Sequence, residues 1–132
     1  MARDTAATNR FVLSQLEAKP NERILELGCG HGRSLRQLAR AVAPGGVAIG
    51  VDPSAVMRDV ATRYLWRELR SGAARIEAGS SESVPAETGS VDRVFSVHTV
   101  YFWPSLERGL EEIRRVLRDG GDVVLGFHTR DE

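Results

Sequence analysis

An acidic residue stands directly before a glycine-rich stretch near the start of the sequence. In "RILELGCGHGRS", Glu26 precedes Gly28, Gly30 and Gly32, which fall at every second position. Glycines let a ligand approach the backbone more closely than a Cβ would allow. A helix that follows such a turn offers free N–H groups at its start. We therefore expect a ligand-binding turn here, with Glu26 favouring a ligand that carries positive charge.

The spacing of these glycines argues against a dinucleotide site. Counted from Gly28, the dinucleotide motif G-x-G-x-x-G requires its third glycine at the position that Arg33 occupies. The third glycine comes one residue early, at Gly32, and the carboxylate of Glu26 would repel a pyrophosphate. The pattern favours a ligand with positive charge near the turn and no phosphate there.

A second acid, Asp52, ends the apolar run "VAIGVD" and follows Gly30 by 22 residues. An acid at the tip of the second strand of an α/β sheet can accept hydrogen bonds from both ribose hydroxyls. A ribose combined with a cationic group in place of a phosphate indicates S-adenosylmethionine, which carries a sulfonium and an α-amino group. Purely structural roles are open as well. The glycines could serve only a tight turn, Glu26 could cap the next helix, and Asp52 could stabilise a helix N-terminus.

The elements that must position these residues alternate along the chain in the manner of parallel βα units. The predicted strands are "RILEL", "VAIGVD", "RIEAG", "DRVFSV" and "DVVLGF", with "RDGG" as a turn before the last, and the predicted helices cover about 5–18, 32–42, 54–70 and 105–117. From the helical spacing we expect certain apolar side chains to face the core. These are Phe11, Val12 and Leu16 in the first helix, Val56, Met57, Val60, Tyr64 and Leu65 in the third, and Leu106, Leu110, Ile113 and Leu117 in the last. We expect an α/β fold with a Rossmann-like, doubly wound, mostly parallel sheet of about five strands and helices on both faces.

The length of the chain predicts one domain over residues 1–132, which we divide into an N-terminal helix in residues 1–20 and a core in residues 22–127. The chain has 132 residues and zero formal net charge, so we expect no general attraction to nucleic acid or to an anionic membrane. No window approaches the roughly 18 apolar residues of a membrane span. The start "MARDTAATNR" lacks the apolar core of a secretory signal. These features predict a cytoplasmic, bacterial protein. The lone Cys29 supports no disulfide and no cysteine-rich metal site, and no metal is predicted.

Five segments, in this order, resemble the class I S-adenosylmethionine-dependent methyltransferases that act on small molecules. They are "LELGCGHGRS", "GVDPS", "EAGSSESVP", "SVDRVFSVHTVYFW" and "LEEIRRVLRDGGDVVLGF". The resemblance runs from about Glu22 to Phe127. It implies a sheet of strand order 3-2-1-4-5, S-adenosylmethionine as the methyl donor and S-adenosylhomocysteine as the product.

The resemblance also implies a role for each residue that matches a family motif. It places Glu26, Gly28, Cys29 and Gly30 at the methionine end of the cofactor, Asp52 at the ribose hydroxyls, Pro53, Ser54 and Met57 beside the adenosine, Ser80, Ser81 and Glu82 at the adenine, and Val97 and His98 beside the sulfonium and the acceptor. His98 and Tyr101 are the local candidates for a general base. In "VYFWP", Phe102 is expected to pack against the last helices, while Tyr101 and Trp103 either pack there or line an acceptor pocket.

Two departures from the family pattern matter. The family often has an acid where this chain has Ser80, whose hydroxyl can still accept one hydrogen bond from the adenine amino group. Family members usually continue beyond the fifth strand to strands 6 and 7, whereas this sequence stops at Glu132. The strand at 122–127 would then be an uncovered sheet edge, and we expect a homo-oligomer that covers it.

The predicted reaction is in-line displacement at the sulfonium methyl by an O, N or C nucleophile of a small-molecule acceptor. Aligning the nucleophile, the methyl group and the sulfur is the protein's main task in such a reaction. Two other functions are open: a non-catalytic or truncated core that binds S-adenosylmethionine, and a Rossmann module that binds NAD.

Overall fold

The computed structural model describes the backbone of residues 5–127 and the side chains of residues 10–127. The helices are α1 (Thr5–Leu16), α2 (Arg33–Ala41), α3 (Ala55–Tyr64), α4 (Trp66–Ser71) and α5 (Leu106–Val116), with a short 3-10 turn at Val100–Phe102. The strands are β1 (Arg23–Leu27), β2 (Val47–Asp52), β3 (Ala74–Ala78), β4 (Val91–Val97) and β5 (Leu117–Gly126). No helix in this part of the chain is long and apolar enough to cross a membrane.

The strands form one parallel sheet in the order β3-β2-β1-β4-β5, as predicted. Strand order reverses between β1 and β4, and open α/β sheets bind ligands beyond the carboxyl ends of the strands at such a point. Glu26 lies near that end of β1, in register with Gly50 of β2 and Phe95 of β4. The topology therefore brings the acid and the glycine turn to the ligand-binding edge of the sheet.

Side chains that alternate along the strands fill two cores, one on each face of the sheet. Ile24 packs with α1, α2 and α3 on one face, whereas Leu25 packs with α5 and with Val84 of the loop before β4 on the other. Successive side chains of a strand point to opposite faces of the sheet. Because four consecutive residues of β1 are buried, both faces of the sheet are covered at this strand. Helices thus cover both faces, as expected.

The predicted helix over 54–70 is wrong in its continuity and in its inward face. It divides into α3 and α4 at the buried Leu65. Ala61 and Leu65 face the core and lie against Gly32, where an added Cβ would be 2.8 Å from Leu65 Cδ1, so this position admits no larger residue. Four other residues were predicted to face inward with Leu65. Met57 is half-buried, whereas Val56, Val60 and Tyr64 are exposed.

The inward faces of the first and last predicted helices are also partly wrong. Val12, Leu16 and Ile113 are buried as predicted. The large apolar residues that are exposed instead are Phe11, Leu106 and Leu110, and Leu117 is half-buried as the first residue of β5. On α5, Gly109 is buried, and the ring of Trp103 occupies the space that a Cβ at this position would fill. The sequence pattern did not reveal this ring-on-glycine contact.

The predicted turn "RDGG" lies inside β5 as an irregular segment of the strand. Val91 pairs with Leu117 and Arg93 pairs with Asp122, so residues 118–121 bulge opposite Asp92. Asp92 accepts hydrogen bonds from the Arg23 amide at 2.8 Å and from Arg118 Nε at 2.6 Å. These contacts give Asp92 a structural role.

A buried arginine ties four elements together at the end of the sheet away from the glycine turn. Arg93 donates hydrogen bonds to Glu22 Oε1 at 2.8 Å, to Asp122 Oδ2 at 2.9 Å and to the carbonyl of Leu16 at 2.7 Å. The end of α1, the start of β1 and strand β5 are thereby joined to β4.

Candidate functional site

The glycine turn after β1 is held against the end of β2 by backbone hydrogen bonds. The amides of Gly28 and Cys29 donate to the carbonyl of Val51 at 2.7 and 3.2 Å. Gly28 has φ of 74°, a left-handed conformation that favours glycine. The backbone of the turn is thus fixed against β2 in a conformation that requires glycine at residue 28.

Asp52 fastens the same turn from the side of β2. Its Oδ2 accepts the amide of Gly30 at 3.0 Å, and its Oδ1 accepts the amide of Ser54 at 2.9 Å. Asp52 is not the cap of α3, because Ser54 takes that position and its Oγ accepts the amide of Met57 at 3.2 Å. Each carboxylate oxygen of Asp52 retains capacity for another hydrogen bond.

Glu26 is buried without a visible hydrogen-bonding partner for one of its oxygens. It is 4% exposed, and among the described residues Oε1 has no partner. Burial, together with the nearby charge of Asp52, raises the pKa of Glu26 well above its ordinary value. Glu26 does not cap the next helix, since the N-cap residue of α2 is Gly32 and no side chain caps this helix. A cation placed against Glu26 would stabilise its charged form.

Cys29 is a packing residue within the turn. Its side chain is buried and lies so close to Gly50 that a Cβ there would be 2.9 Å from the Cys29 sulfur. Burial and the charges of Glu26 and Asp52 raise the pKa of the Cys29 thiol to about 12. At neutral pH this thiol is therefore protonated and a poor nucleophile.

A cavity of about 430 Å³ opens beyond the carboxyl ends of β1 and β2. It is lined by Leu27, Gly28, Val51, Asp52, Pro53, Gly79, Ser80, Ser81, Thr99, Phe102, Trp103 and Pro104. Five of the predicted cofactor-binding residues meet in this lining, namely Gly28, Asp52, Pro53, Ser80 and Ser81. Their distribution over the ends of three strands matches the expected position of a ligand site.

The serines after β3 form a tight loop at one wall of the cavity. Ser80 and Ser83 exchange backbone hydrogen bonds of 3.2 Å. The side chain of Ser81 is 7% exposed, and its Oγ has no hydrogen-bonding partner within the described residues. Glu82 is outside the lining and pairs with Arg108 at 3.4 Å.

The other predicted residues are not among those that line the cavity. These are Glu26, Cys29, Gly30, Ser54, Met57, Glu82, Val97, His98 and Tyr101. Val97 is half-buried and packs against the core on the α1–α3 side of the sheet. His98 follows β4 with φ of 58°, its amide donates to the Gly126 carbonyl at 2.8 Å, and its ring stacks on Tyr101 at 6.5 Å between centroids.

The segment after β4 supplies lining residues that the sequence analysis missed or misjudged. Phe102 was expected to pack against the last helices, yet it is 81% exposed and borders the cavity. The reason is the 3-10 turn at Val100–Phe102, which carries the ring outward. Trp103 takes both of the open roles, because it lines the cavity and also packs on the α5 side. The run of aromatic residues before Pro104 was the available signal for this wall.

The residues present fit S-adenosylmethionine as the ligand. A buried carboxylate lacking a partner beside Asp52 suits a cationic group, since an unpaired buried charge is costly until a counter-charge arrives. At the serine wall, the unpartnered Ser81 Oγ suits a polar heterocycle. Within the described residues, no group of three or more His, Cys, Asp or Glu side chains could hold a metal ion.

Comparison with known proteins gives a consistent result. A 37.1 kDa protein of transposon TN4556 from Streptomyces fradiae is 39% identical over 93% of this chain, which spans 35% of that protein. An uncharacterized methyltransferase of Bacillus subtilis is 27% identical over 99% of the chain, which spans 70% of it. The geranyl diphosphate C-methyltransferase structure from Streptomyces coelicolor A3(2) superposes with a TM-score of 0.78 and 27% identity, covering 91% of this chain and 44% of that one.

A family model described as a methyltransferase domain matches residues 25–125, which include the glycine turn, Asp52 and all five strands in whole or large part. With the strand order 3-2-1-4-5 and the cavity at its reversal point, this match means that the chain belongs to the class I S-adenosylmethionine-dependent methyltransferases.

Proposed function

We propose that this chain binds S-adenosylmethionine and transfers its methyl group to a small-molecule acceptor, releasing S-adenosylhomocysteine. The observation that carries the proposal is the buried Glu26 carboxylate with an unpartnered oxygen, next to the Asp52 that fastens the glycine turn. A cationic ligand that bears a ribose satisfies both acids. NAD would place its phosphates near this negative charge, so the dinucleotide alternative is disfavoured.

The proposal assigns the residues around the cavity to parts of this ligand. The methionine end contacts Glu26, Gly28, Cys29 and Gly30, the ribose contacts Asp52, the adenosine lies beside Pro53, Ser54 and Met57, the adenine contacts Ser80, Ser81 and Glu82, and Val97 and His98 lie beside the sulfonium. For Cys29, Gly30 and Ser54 the contact is by backbone or packing, because the thiol of Cys29 is buried and Ser54 Oγ caps α3.

The chemistry requires alignment more than activation. When bound, the cofactor supplies an electrophilic methyl group on a positively charged sulfur. An O, N or C nucleophile of the acceptor would take this methyl group, and the electron pair of the carbon–sulfur bond would stay on sulfur. The chain's contribution is to hold the reactants in line and exclude water. His98 and Tyr101 are the proposed bases for an acceptor that must lose a proton.

We also propose where the reaction takes place and which partners are excluded. The acceptor is a small molecule in the cytoplasm, and neither nucleic acid nor a membrane is a partner. The chain spans 35% to 70% of the two relatives described above. The second candidate function, a core that binds the cofactor without transferring its methyl group, therefore stands beside the first.

Calorimetry with S-adenosylmethionine, S-adenosylhomocysteine and NAD, followed by an acceptor panel, tests the proposal. We expect both sulfur ligands to bind and NAD not to bind. Methyl transfer to any acceptor supports the enzyme. Binding with no transfer across a broad panel supports the non-catalytic core, and binding of NAD alone would reject both.

A further inference from the structure

A chain of two hydroxyl groups connects the end of β4 with the end of β1 beneath the glycine turn. Ser96 is buried, and its Oγ donates to the carbonyl of Leu27 at 2.8 Å. The same Oγ forms a short hydrogen bond with Thr99 Oγ1. Leu27 directly precedes Gly28, so the two hydroxyls lie at the base of the turn.

The direction of the second hydrogen bond follows from the first. A serine hydroxyl has one proton, and a carbonyl can only accept, so the Ser96 proton is committed to Leu27. The hydroxyl of Thr99 is therefore the donor to Ser96. Because threonine is branched at Cβ and stiff at χ1, fixing Oγ1 also fixes the direction of the methyl group.

The methyl group that is fixed in this way lies against Gly28. A Cβ at Gly28 would overlap Thr99 Cγ2, so the methyl fills the space that a side chain at residue 28 would take. Gly28 and Thr99 both line the cavity. On its other side the turn is held by Val51 and Asp52, through the amides of Gly28 and Gly30. Thr99 thus contacts the turn through its methyl group, in addition to these hydrogen bonds.

We propose that Thr99 is a positioning residue, locked by Ser96, that holds the Gly28–Gly30 turn in the conformation that accepts S-adenosylmethionine. The inference rests on the proposed function for the identity of the ligand. Its structural half, the restraint of the turn, is independent of any ligand. Thr99 acts through Gly28, so its effect should appear in cofactor affinity rather than in the chemical step.

Two substitutions separate the parts of the side chain. Thr99→Val keeps the methyl group and removes the hydroxyl, whereas Thr99→Ser keeps the hydroxyl and removes the methyl. The matched controls are Thr88→Val and Thr88→Ser, at an exposed position before β4. We expect the Kd for S-adenosylhomocysteine, measured by calorimetry, to rise about fivefold in Thr99→Val, the equivalent of one neutral hydrogen bond, and to rise also in Thr99→Ser, which loses the methyl contact with Gly28. We expect KM for S-adenosylmethionine to rise with kcat unchanged, and the Thr88 variants to match the wild type.

A second readout needs no ligand. Amide hydrogen exchange at Gly28 and Gly30 in the free protein should be faster in both Thr99 variants, while amides in β1 and β2 keep wild-type rates. Wild-type exchange in either variant would overturn the restraint and with it the proposal. Faster exchange combined with a Kd within twofold of wild type would overturn the link to ligand binding. A wild-type chain that binds neither sulfur ligand rejects the proposed function, and the exchange rates still decide the restraint.

Discussion

The carboxylate of Asp52 accepts the backbone amide of Gly30 at 3.0 Å, across 22 residues of sequence. Its other oxygen accepts the amide of Ser54 at 2.9 Å. One side chain at the tip of β2 therefore holds the glycine turn after β1 and the start of α3 together. The acid expected to bind a ribose also builds the loop that would hold the rest of the ligand.

Asp52→Asn should weaken ligand binding, because Asp52 fastens the glycine turn and is also the proposed acceptor of the ribose hydroxyls. The asparagine side chain has one accepting oxygen, so its NH₂ group must face one of the two amide donors and one hydrogen bond is lost. Hydrogen bonds to a charged group contribute about 1.5–3 kcal/mol, and we expect the Kd for S-adenosylhomocysteine to rise roughly tenfold or more. Asp59→Asn, at an exposed ion pair on α3, is the control. Wild-type affinity in Asp52→Asn would reject the role of Asp52.

Glu26→Gln should stabilise the ligand-free protein at neutral pH. Because burial and the charge of Asp52 raise the pKa of Glu26 above 4.5, the folded state holds this proton more tightly than the unfolded chain does. The protonated Glu26 therefore contributes to the free energy of unfolding. This contribution is fully present below about pH 4.5, and it is lost as the pH rises through the pKa that Glu26 has in the folded protein. Denaturant unfolding across this range should show the loss in wild type and not in the variant.

The same substitution should reduce affinity for a cationic ligand, since a neutral amide no longer offers a counter-charge. Glu77→Gln on the edge strand β3 is the matched control, because its side chain is half-exposed and pairs with Arg75. A Glu26→Gln protein with unchanged stability and unchanged Kd would show that Glu26 neither carries a costly charge nor faces the ligand.

Arg93→Ala should lower the free energy of unfolding by about 3 kcal/mol, because it leaves the largely buried Glu22 carboxylate without its counter-charge and the Leu16 carbonyl without its donor. Although burial alone raises the pKa of Glu22, the hydrogen bond and charge of Arg93, together with the Lys19 amide, bring that pKa below 4.5. This contribution is present above pH 4.5 and is lost as pH falls through the lowered folded pKa. Urea unfolding measures the loss. Arg63→Ala, in an exposed pair, should cost less than about 0.5 kcal/mol, and an equal cost would contradict the assignment.

The chain should self-associate through β5. In the sheet formed by the described residues, β5 is the outermost strand beside β4, and Val123 is exposed. An unpaired edge offers backbone groups to a second copy. Light scattering at increasing concentration should show a mass above that of the monomer, which Val123→Lys lowers. Val60→Lys, at an exposed position on α3, should leave the mass unchanged. A monomer at every concentration would contradict the prediction.

The local sequence pattern was sufficient to predict single strands and the starts of helices. The alternation of apolar runs with helical segments predicted the five parallel strands. Ser54 and Ser105 cap α3 and α5, as serines directly before a helix commonly do. Inward helix faces were less predictable. Val56 and Val60 have the spacing of a buried stripe, yet they are exposed, while Ala61 and Leu65 pack against Gly32.

The sequence by itself predicted the kind of ligand, because an acid before the glycines favours positive charge and an acid that ends the second strand favours a ribose. Only the tertiary structure decided how the site is built. It set Glu26 in a buried place with an unpartnered oxygen, fastened Gly30 to Asp52 and Thr99 to Ser96, and carried Phe102 to the mouth of the cavity. Burial and contacts between distant segments depend on packing among several elements, which local spacing does not encode.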